Sequence, residues 1–246
     1  GETAFIMSIF ILKTYLMIKY AFIALLFFKF ANSQNVKVLQ EHGFENLQEF
    51  YKEDQYTLFY EDNLYRFPAD GLYQVLELIN ISTKASNAKV VILNKGVPIV
   101  EMRFTSRDYA KLKTKNSTIE DFLSVATIDF TDEKYNTEKT LNNSYFKTDL
   151  SLRFQVDYTL GNFDNPIRQR VNFQPYLSTD LSKGVNFETY YNVPEFDDLG
   201  YKEPQVGLLR LSNDFKIDKS SFLNFNFGFF TFNRLGITTN YLKFLY

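Results

Sequence analysis

The segment Thr148–Leu160 constrains the fold most strongly, because apolar and polar residues alternate along it without a break. One parity carries Leu150, Leu152, Phe154, Val156, Tyr158 and Leu160, and the other carries Asp149, Ser151, Arg153, Gln155, Asp157 and Thr159. Successive side chains of a β-strand point to opposite faces, so this segment predicts a strand with one apolar and one polar face. The wall of a membrane barrel and a soluble two-sheet sandwich both produce this pattern.

Similar alternation recurs in five later segments, namely residues 167–178, 185–193, 205–217, 222–232 and 235–246, the last being the least regular. The segments are about 9–13 residues long, more than the usual soluble strand and enough to cross a bilayer at a tilt. The connections at residues 181–184 and 218–221 are tight, whereas the connection at residues 194–204 is long. Outer-membrane barrels combine short turns on one side with longer loops on the other.

These observations predict a mainly β protein in which residues 141–246 form part of an antiparallel outer-membrane β-barrel. About six strands are present, and the smallest closed membrane barrels need about eight. An open sheet edge in lipid leaves backbone groups without partners, at a cost of several kcal/mol each. The missing strands are expected either from a longer polypeptide, which we favour, or from other copies of the chain.

The first 33 residues are interpreted as an upstream segment followed by a secretory signal peptide. Lys19 precedes an apolar run at residues 21–28, and small residues precede a cleavage site after Ser33. The alternative is a membrane anchor over residues 5–30. Lys13, Lys19 and Lys29 interrupt that run, and a lysine at the bilayer centre costs roughly 2.5–3.5 kcal/mol.

Residues 34–140 have a mixed pattern that predicts a small α+β module, which the signal would place in the periplasm. A β-prone run at residues 56–60 precedes a helix that begins near Pro68. Residues 88–93 and 97–104 predict a hairpin around Asn94-Lys95-Gly96. Ser106 is expected to cap a short helix through Lys113, residues 119–125 predict another helix, and residues 132–143 read as a linker.

Composition excludes several functional classes. The chain has no Cys, which excludes a disulfide scaffold, a thiol nucleophile and a thiolate metal site. The net charge of −2 gives no electrostatic support for binding nucleic acid. The single histidine, His42, has no grouped partners in the sequence, so we interpret it as a surface residue and predict no metal and no cofactor.

The candidate binding residues lie on the polar parity of the predicted strands, where a barrel would direct them into its lumen. They are five cations and one tyrosine, namely Arg153, Arg168, Arg170, Arg210, Lys216 and Tyr190. A positive lumen favours an anionic polymer. The alternative is that the cations pair across neighbouring strands with Asp149, Asp157, Glu188 and Asp214.

Several short motifs resemble the YjbH-type outer-membrane proteins that are associated with exopolysaccharide and capsule biosynthesis. They are residues 60–68 (YEDNLYRFP), 94–101 (NKGVPIVE), 191–198 (YNVPEFDD), 208–214 (LLRLSND) and 228–246. The resemblance covers most of residues 43–246. It implies a longer protein that takes part in export or assembly of a surface polysaccharide, and it supplies no catalytic residues.

The resulting hypothesis is a non-enzymatic protein of the Gram-negative outer membrane. Its expected partners are outer-membrane lipid, an exopolysaccharide and other proteins of the export machinery. A second hypothesis is a soluble secreted carbohydrate-binding β-sandwich, whose apolar rows would lie in a shared core. A third is an outer-membrane glycosidase, which would need two carboxylates among Asp149, Asp157 and Glu188.

Overall fold

The structure of the protein is a computed structural model that describes residues 34–82, 85–161, 163, 166–197, 203–230 and 234–245. The predicted signal peptide at residues 1–33 lies outside the described residues. The described chain is mainly β and forms a five-stranded sheet followed by a six-stranded sheet, with a few short helices.

The first sheet contains β1 (Glu45–Lys52), β2 (Gln55–Glu61), β3 (Asn87–Asn94), β4 (Val97–Thr105) and β5 (Thr127–Phe130), in that order. Neighbouring strands are antiparallel except β2 and β3, which are parallel. A parallel pair needs a crossover connection, and a helix supplies it here. We call residues 34–143 the module.

The helices of the module are α1 (Gln34–Glu41), α2 (Pro68–Leu78), α3 (Ser106–Lys113) and α4 (Ile119–Val125), with a 3₁₀ turn at Thr137–Lys139. They cover one face of the first sheet and bury a shared apolar core. The core includes Leu39, Leu58, Val75, Ile79, Val90, Met102 and Phe122. The module therefore has the ordinary layered arrangement of an α+β domain.

The predicted elements of the module are confirmed, and the structure adds others. The helix at Pro68, the hairpin at Lys95-Gly96 and the helix at residues 119–125 are all present. The helix at residues 106–113 is capped by Thr105, whose Oγ1 accepts a hydrogen bond of 3.1 Å from Asp108 N, so the prediction of Ser106 as the cap is wrong. The sequence analysis did not predict α1, β1 or β5.

The segment 132–143, predicted as a linker, packs on the other face of the first sheet. Tyr135 is buried against Phe59 and Val91, and its hydroxyl donates to Asn46 O at 3.0 Å. Leu141 exchanges backbone hydrogen bonds of 2.9 Å with Leu47. This segment is therefore a packed part of the module.

The second sheet contains β6 (Thr148–Leu160), β7 (Ile167–Ser182), β8 (Val185–Asp197), β9 (Gln205–Asp218), β10 (Ser221–Phe230) and β11 (Arg234–Lys243). Each strand pairs antiparallel with the next one along the chain. The six predicted strands are thus confirmed. Two strands are longer than predicted, because β7 continues to Ser182 in the tight turn and β8 continues to Asp197 in the long connection.

The second sheet has its polarity reversed relative to a soluble sheet. Large apolar side chains are exposed along it, including Leu150 at 77%, Phe154 at 72% and Ile237 at 72%. On the opposite face the short polar side chains are buried, including Asn172, Gln174, Asn186, Ser212 and Asn226. The burial of polar side chains is confined to the inner strands, because nearly all residues of the outer strands β6 and β11 are exposed.

Both outer strands of the second sheet have one unpaired edge within the described residues. There, β6 pairs only with β7, and β11 pairs only with β10. The described strands therefore form an open sheet and not a closed barrel. Among the helices of the described residues, none is both long enough and apolar enough to cross a membrane.

Candidate functional site

A network of side-chain amides runs across the polar face of the second sheet. Gln174 on β7 donates to Gln155 on β6 and, at 2.7 Å, to Asn192 on β8. Nearer to β11, Asn226 donates to Thr238 Oγ1 at 3.0 Å and also to Asn224. Strand register places these residues in rows, so amide donors and acceptors meet across neighbouring strands.

Two of the predicted cations are neutralised by carboxylates on the adjacent strand. Arg170 contacts Asp157 Oδ2 through Nε at 3.2 Å and through Nη2 at 2.7 Å. Arg210 forms an ion pair with Glu188. For these two residues the structure has the cross-strand pairing that the sequence analysis offered as the alternative, which lowers the net charge of the polar face.

The other predicted residues of this face are spread along its length. The guanidinium carbon of Arg153 lies 3.6 Å from the ring centroid of Tyr176, in a cation–π contact. Tyr190 is in register with Tyr176, and its ring lies so close to Gly207 that a Cβ there would be 2.0 Å from Tyr190 Cε2. Arg168 is in register with Thr159, near the end of β6 that is remote from the module.

Lys216 does not contribute to an open binding face, because its ammonium group reaches the module. It donates to Pro98 O at 2.9 Å and also to Thr131 O. The structure therefore places five of the six candidates on the sheet surface and assigns Lys216 to the contact between the two halves of the chain.

That contact, which we call the junction, is rich in lysine pairs. Lys95 Nζ lies 3.0 Å from Asp214 Oδ2, and Lys147 Nζ lies 2.7 Å from Glu45 Oε1. Lys219 forms an ion pair with Asp129. An aromatic cluster of Phe130, Phe222 and Phe244, with centroids 4.6–6.2 Å apart, adds apolar contact.

Two hairpin turns meet at the centre of the junction. Gly184 N, in the β7–β8 turn, donates to Lys95 O at 2.7 Å, and Asp214 N donates to Gly184 O at 2.8 Å. Lys95 and Gly96 have φ values of 51° and 71°, as a tight hairpin turn requires. The module thus docks on the end of the second sheet where the tight turns lie.

Glu61 holds the module hairpin in this position. Its carboxylate accepts hydrogen bonds from Lys95 N, from Gly96 N at 2.9 Å and from the amide of Asn46. The side chain is buried, and loss of water around it raises the pKa of Glu61, while these hydrogen bonds act in the opposite direction. Glu61 is therefore a structural carboxylate with all its strong contacts inside the protein.

A polar cavity of about 250 Å³ lies beside Glu61, between the module and the second sheet. We call it the junction pocket. Its lining includes Glu45, Glu61, Asn63, Lys95, Ser144, Lys147, Asp149, Ser178, Asp180 and Asn186. The sequence analysis considered only one of these residues, Asp149, for a functional role. A bulge between Asp180 and Ser182 places Asp180 opposite Asn186, and the predicted connection at residues 181–184 gave no sign of this pairing.

The three carboxylates considered for glycoside hydrolysis are not grouped as one site. Asp149 and Asp157 lie eight residues apart on β6, or about 26 Å at 3.3 Å per residue. Asp149 and Glu188 are both in register with Ser178, so two strand spacings, roughly 9.6 Å, separate their backbones. Asp157 and Glu188 are each paired with an arginine.

The described residues contain no group of three or more His, Cys, Asp or Glu side chains that could hold a metal ion. His42 is exposed, and its Nδ1 lies 2.8 Å from Val38 O in the last turn of α1. This geometry agrees with its interpretation as a surface residue.

Comparisons of the chain with protein-family models, with characterised proteins and with solved structures find no match. The resemblance to YjbH-type proteins is therefore neither supported nor contradicted by them and stays a prediction.

Proposed function

We propose that the second sheet is part of the wall of an outer-membrane β-barrel and that the module lies at its periplasmic end. The observation that carries this proposal is the reversed polarity of the sheet. Fully burying a large apolar side chain stabilises a protein by about 1.5–3 kcal/mol relative to leaving it in water. A long row of such side chains on the outside, from Leu150 to Leu160 on β6, is favourable in lipid and unfavourable in water.

Strand length supports the same environment. The strands of the second sheet have 10–16 residues, and about 9–11 residues are enough for a tilted strand to cross a bilayer. Aromatic residues are abundant in the chain, with 27 Phe and 17 Tyr, as they are in the interfacial girdles of membrane barrels.

The direction of the sheet supports the placement of the module. The tight turns at Lys183-Gly184 and Lys219-Ser220 face the module, and the opposite ends of the strands, such as the paired Leu160 and Ile167, lie away from it. Bacterial outer-membrane barrels have short periplasmic turns and longer extracellular loops. The unpaired edges of β6 and β11 require further strands before such a barrel closes.

The proposed role is non-enzymatic participation in export or assembly of an exopolysaccharide. Amide side chains on the polar face can exchange hydrogen bonds with sugar hydroxyls, and Tyr176 and Tyr190 offer aromatic rings. Pairing of Arg170 and Arg210 with carboxylates makes this face less positive than the sequence suggests. A polymer of low charge fits it better than a strongly anionic one.

The absence of cysteine from the sequence permits a direct test with single-cysteine variants. Leu152→Cys and Ile237→Cys place an environment-sensitive nitrobenzoxadiazole label on the apolar face, and Ser151→Cys and Thr238→Cys place it on the polar face of the same strands. After folding into phosphatidylcholine vesicles, we expect blue-shifted emission and quenching by a lipid-borne quencher for the first pair only. Protein that stays in solution without detergent, with blue-shifted emission for the first pair but no quenching by the lipid-borne quencher, would favour the soluble sandwich.

The cellular role needs its own experiment. We expect deletion of the gene in its native host to reduce surface polysaccharide, and the wild-type gene to restore it. A variant with Gln174→Leu and Asn226→Leu, which replaces two amides of the polar face, should reach the membrane and fail to restore the polymer. Normal polysaccharide in the deletion strain would refute the proposed role, even if the chain is a membrane protein.

A further inference from the structure

The junction pocket contains a buried acceptor without a donor. Asn186 is only 3% exposed, and its amide nitrogen donates to Ser178 Oγ at 3.1 Å and to Asp180 Oδ1 at 2.9 Å. With its donors used in this way, the side-chain oxygen of Asn186 has no hydrogen-bond partner among the described residues. A buried polar atom left without a partner costs about 1–3 kcal/mol, so a bound donor would recover free energy here.

The lysines around the pocket are already engaged. Lys147 pairs with Glu45, which also accepts a hydrogen bond of 2.9 Å from Asn63. Lys95 pairs with Asp214. Each of these ammonium groups has its own carboxylate partner, and the charge of Lys95 also acts on Asp180. The lining still contains four carboxylates for two lysines.

Two carboxylates remain on the sheet side of the pocket. Asp180 is contacted by Asn186 and, at 3.4 Å, by Ser144 Oγ. Asp149 is exposed, and no lysine or arginine of the described chain lies within ion-pair distance of it. Strand register places Asp149 beside Ser178, two residues along β7 from Asp180, which is in register with Asn186. The pocket thus presents a surplus of negative charge and of hydrogen-bond acceptors.

We propose that the junction pocket binds a small organic molecule through a primary ammonium group, held by Asn186, Asp180 and Asp149. An ammonium carries one positive charge and three N–H donors, which matches one neutral acceptor and two carboxylates. A metal ion is the weaker alternative, because the described acidic residues do not form a metal-binding group of three. The volume of about 250 Å³ suits a molecule near the small end of protein ligands.

The proposal does not depend on membrane insertion of the second sheet. The pocket is built from residues of both halves of the chain, and it lies at the end of the polar face that adjoins the module. A soluble protein with the same junction would contain the same pocket. Failure of the barrel proposal and failure of the ammonium proposal are therefore separate results.

Isothermal titration of the full chain with three sugars of the same ring tests the ammonium group. We expect glucosamine to bind and glucose and N-acetylglucosamine to show no heat of binding, because only glucosamine carries a free amine. Equal binding of all three sugars, or binding of none, would refute the proposal. Calcium chloride that displaces glucosamine would assign the pocket to a metal ion and would also refute it.

Variants assign the binding to the pocket. Asp149→Asn keeps the shape of an exposed side chain and removes one charge, and we expect glucosamine affinity to fall by about tenfold, as expected for a hydrogen bond to a charged group. Asn186→Ala should reduce the affinity as well. Glu195→Gln removes a charge from the remote end of β8 and should leave binding unchanged. Unchanged affinity in Asp149→Asn, with the fold verified by circular dichroism, would contradict the assignment.

Discussion

The two sheets of this protein contain similar apolar residues but differ in which side chains are exposed. In the first sheet, Leu58 and Val90 are fully buried in the core shared with the helices, and Phe59 and Val91 on the other face are buried against Tyr135. In the second sheet, Leu152 and Phe154 are exposed, and Asn172 and Gln174 are buried. The two sheets therefore differ in where their apolar side chains lie. The first sheet buries them, and the second exposes many of them.

The largest expected effect compares the same substitution in the two sheets. Leu58→Ala should destabilise the module by about 2–5 kcal/mol, because it empties space in a packed core. Leu152→Ala, at a position 68% exposed, should cost less than about 1 kcal/mol. Urea unfolding followed by circular dichroism measures both. Equal losses would show that Leu152 is packed as Leu58 is.

The next largest effect is the loss of stability caused by a charge on the apolar face of the second sheet. Phe154→Arg should destabilise protein folded in vesicles by about 2–4 kcal/mol, the cost of arginine near the bilayer midplane. Gln155→Arg, on the polar face of the same strand, is the matched control and should cost much less. If the two variants unfold at the same urea concentration in vesicles, the outer face is not in lipid.

The pH dependence of the module is expected to come from Glu49 on β1. Burial raises its pKa to about 7, above the ordinary value near 4.5, whereas the hydrogen bond from Asn35 acts in the opposite direction. The folded state therefore binds a proton that the unfolded state releases between these values, so stability is greater at acidic pH and falls as the pH rises to about 7.

Hydrogen exchange of β1 and α1 at pH 5 and pH 8 measures this effect. Glu49→Gln should remove the part of the pH dependence that arises between pH 4.5 and about 7. Asp54→Asn is the control, because the pKa of the exposed Asp54 is lowered by hydrogen bonds from Ser86 and its effect has the opposite sign. A module that becomes more stable as the pH rises through this range would contradict the expectation.

The smallest effect concerns the ion pairs of the polar face. Arg170→Met removes the partner of Asp157, and we expect a loss of no more than about 1 kcal/mol, since the pair is partly open to solvent. The same urea titration measures it, with Arg153→Met as the matched control. A loss of several kcal/mol would show that the polar face is sealed from water.

The strands of the second sheet were predicted well because each one is visible as a pattern within its own segment of the sequence. Alternation with a period of two reports which residues share a face, and it identified all six strands and the polar candidates. The ion pairs of Arg170 and Arg210 follow from register, which the tight turns partly fix. Whether a sheet closes depends on partners of β6 and β11, and alternation within a strand carries no information about them.

The module and the junction were harder to predict. The strand β5 has only four residues, and β1 has a mixed sequence without regular alternation. The bridge from Leu47 of β1 to Leu141 depends on a contact distant in sequence. Lys216 lies on the polar parity, so its sequence pattern suggested the lumen. Its actual partners, the carbonyls of Pro98 and Thr131, become visible only when the two halves are docked.

The contact between the two turns at Lys95 and Gly184 has a consequence for which substitutions the junction tolerates. The connection there is between peptide groups, from Gly184 N to Lys95 O and from Asp214 N to Gly184 O. Replacing a lysine side chain leaves these peptide groups in place, whereas a Cβ added at Gly184 would lie 2.3 Å from Asp214 O. The attachment of the two halves is therefore more sensitive to substitution of Gly184 than to substitution of the neighbouring lysines.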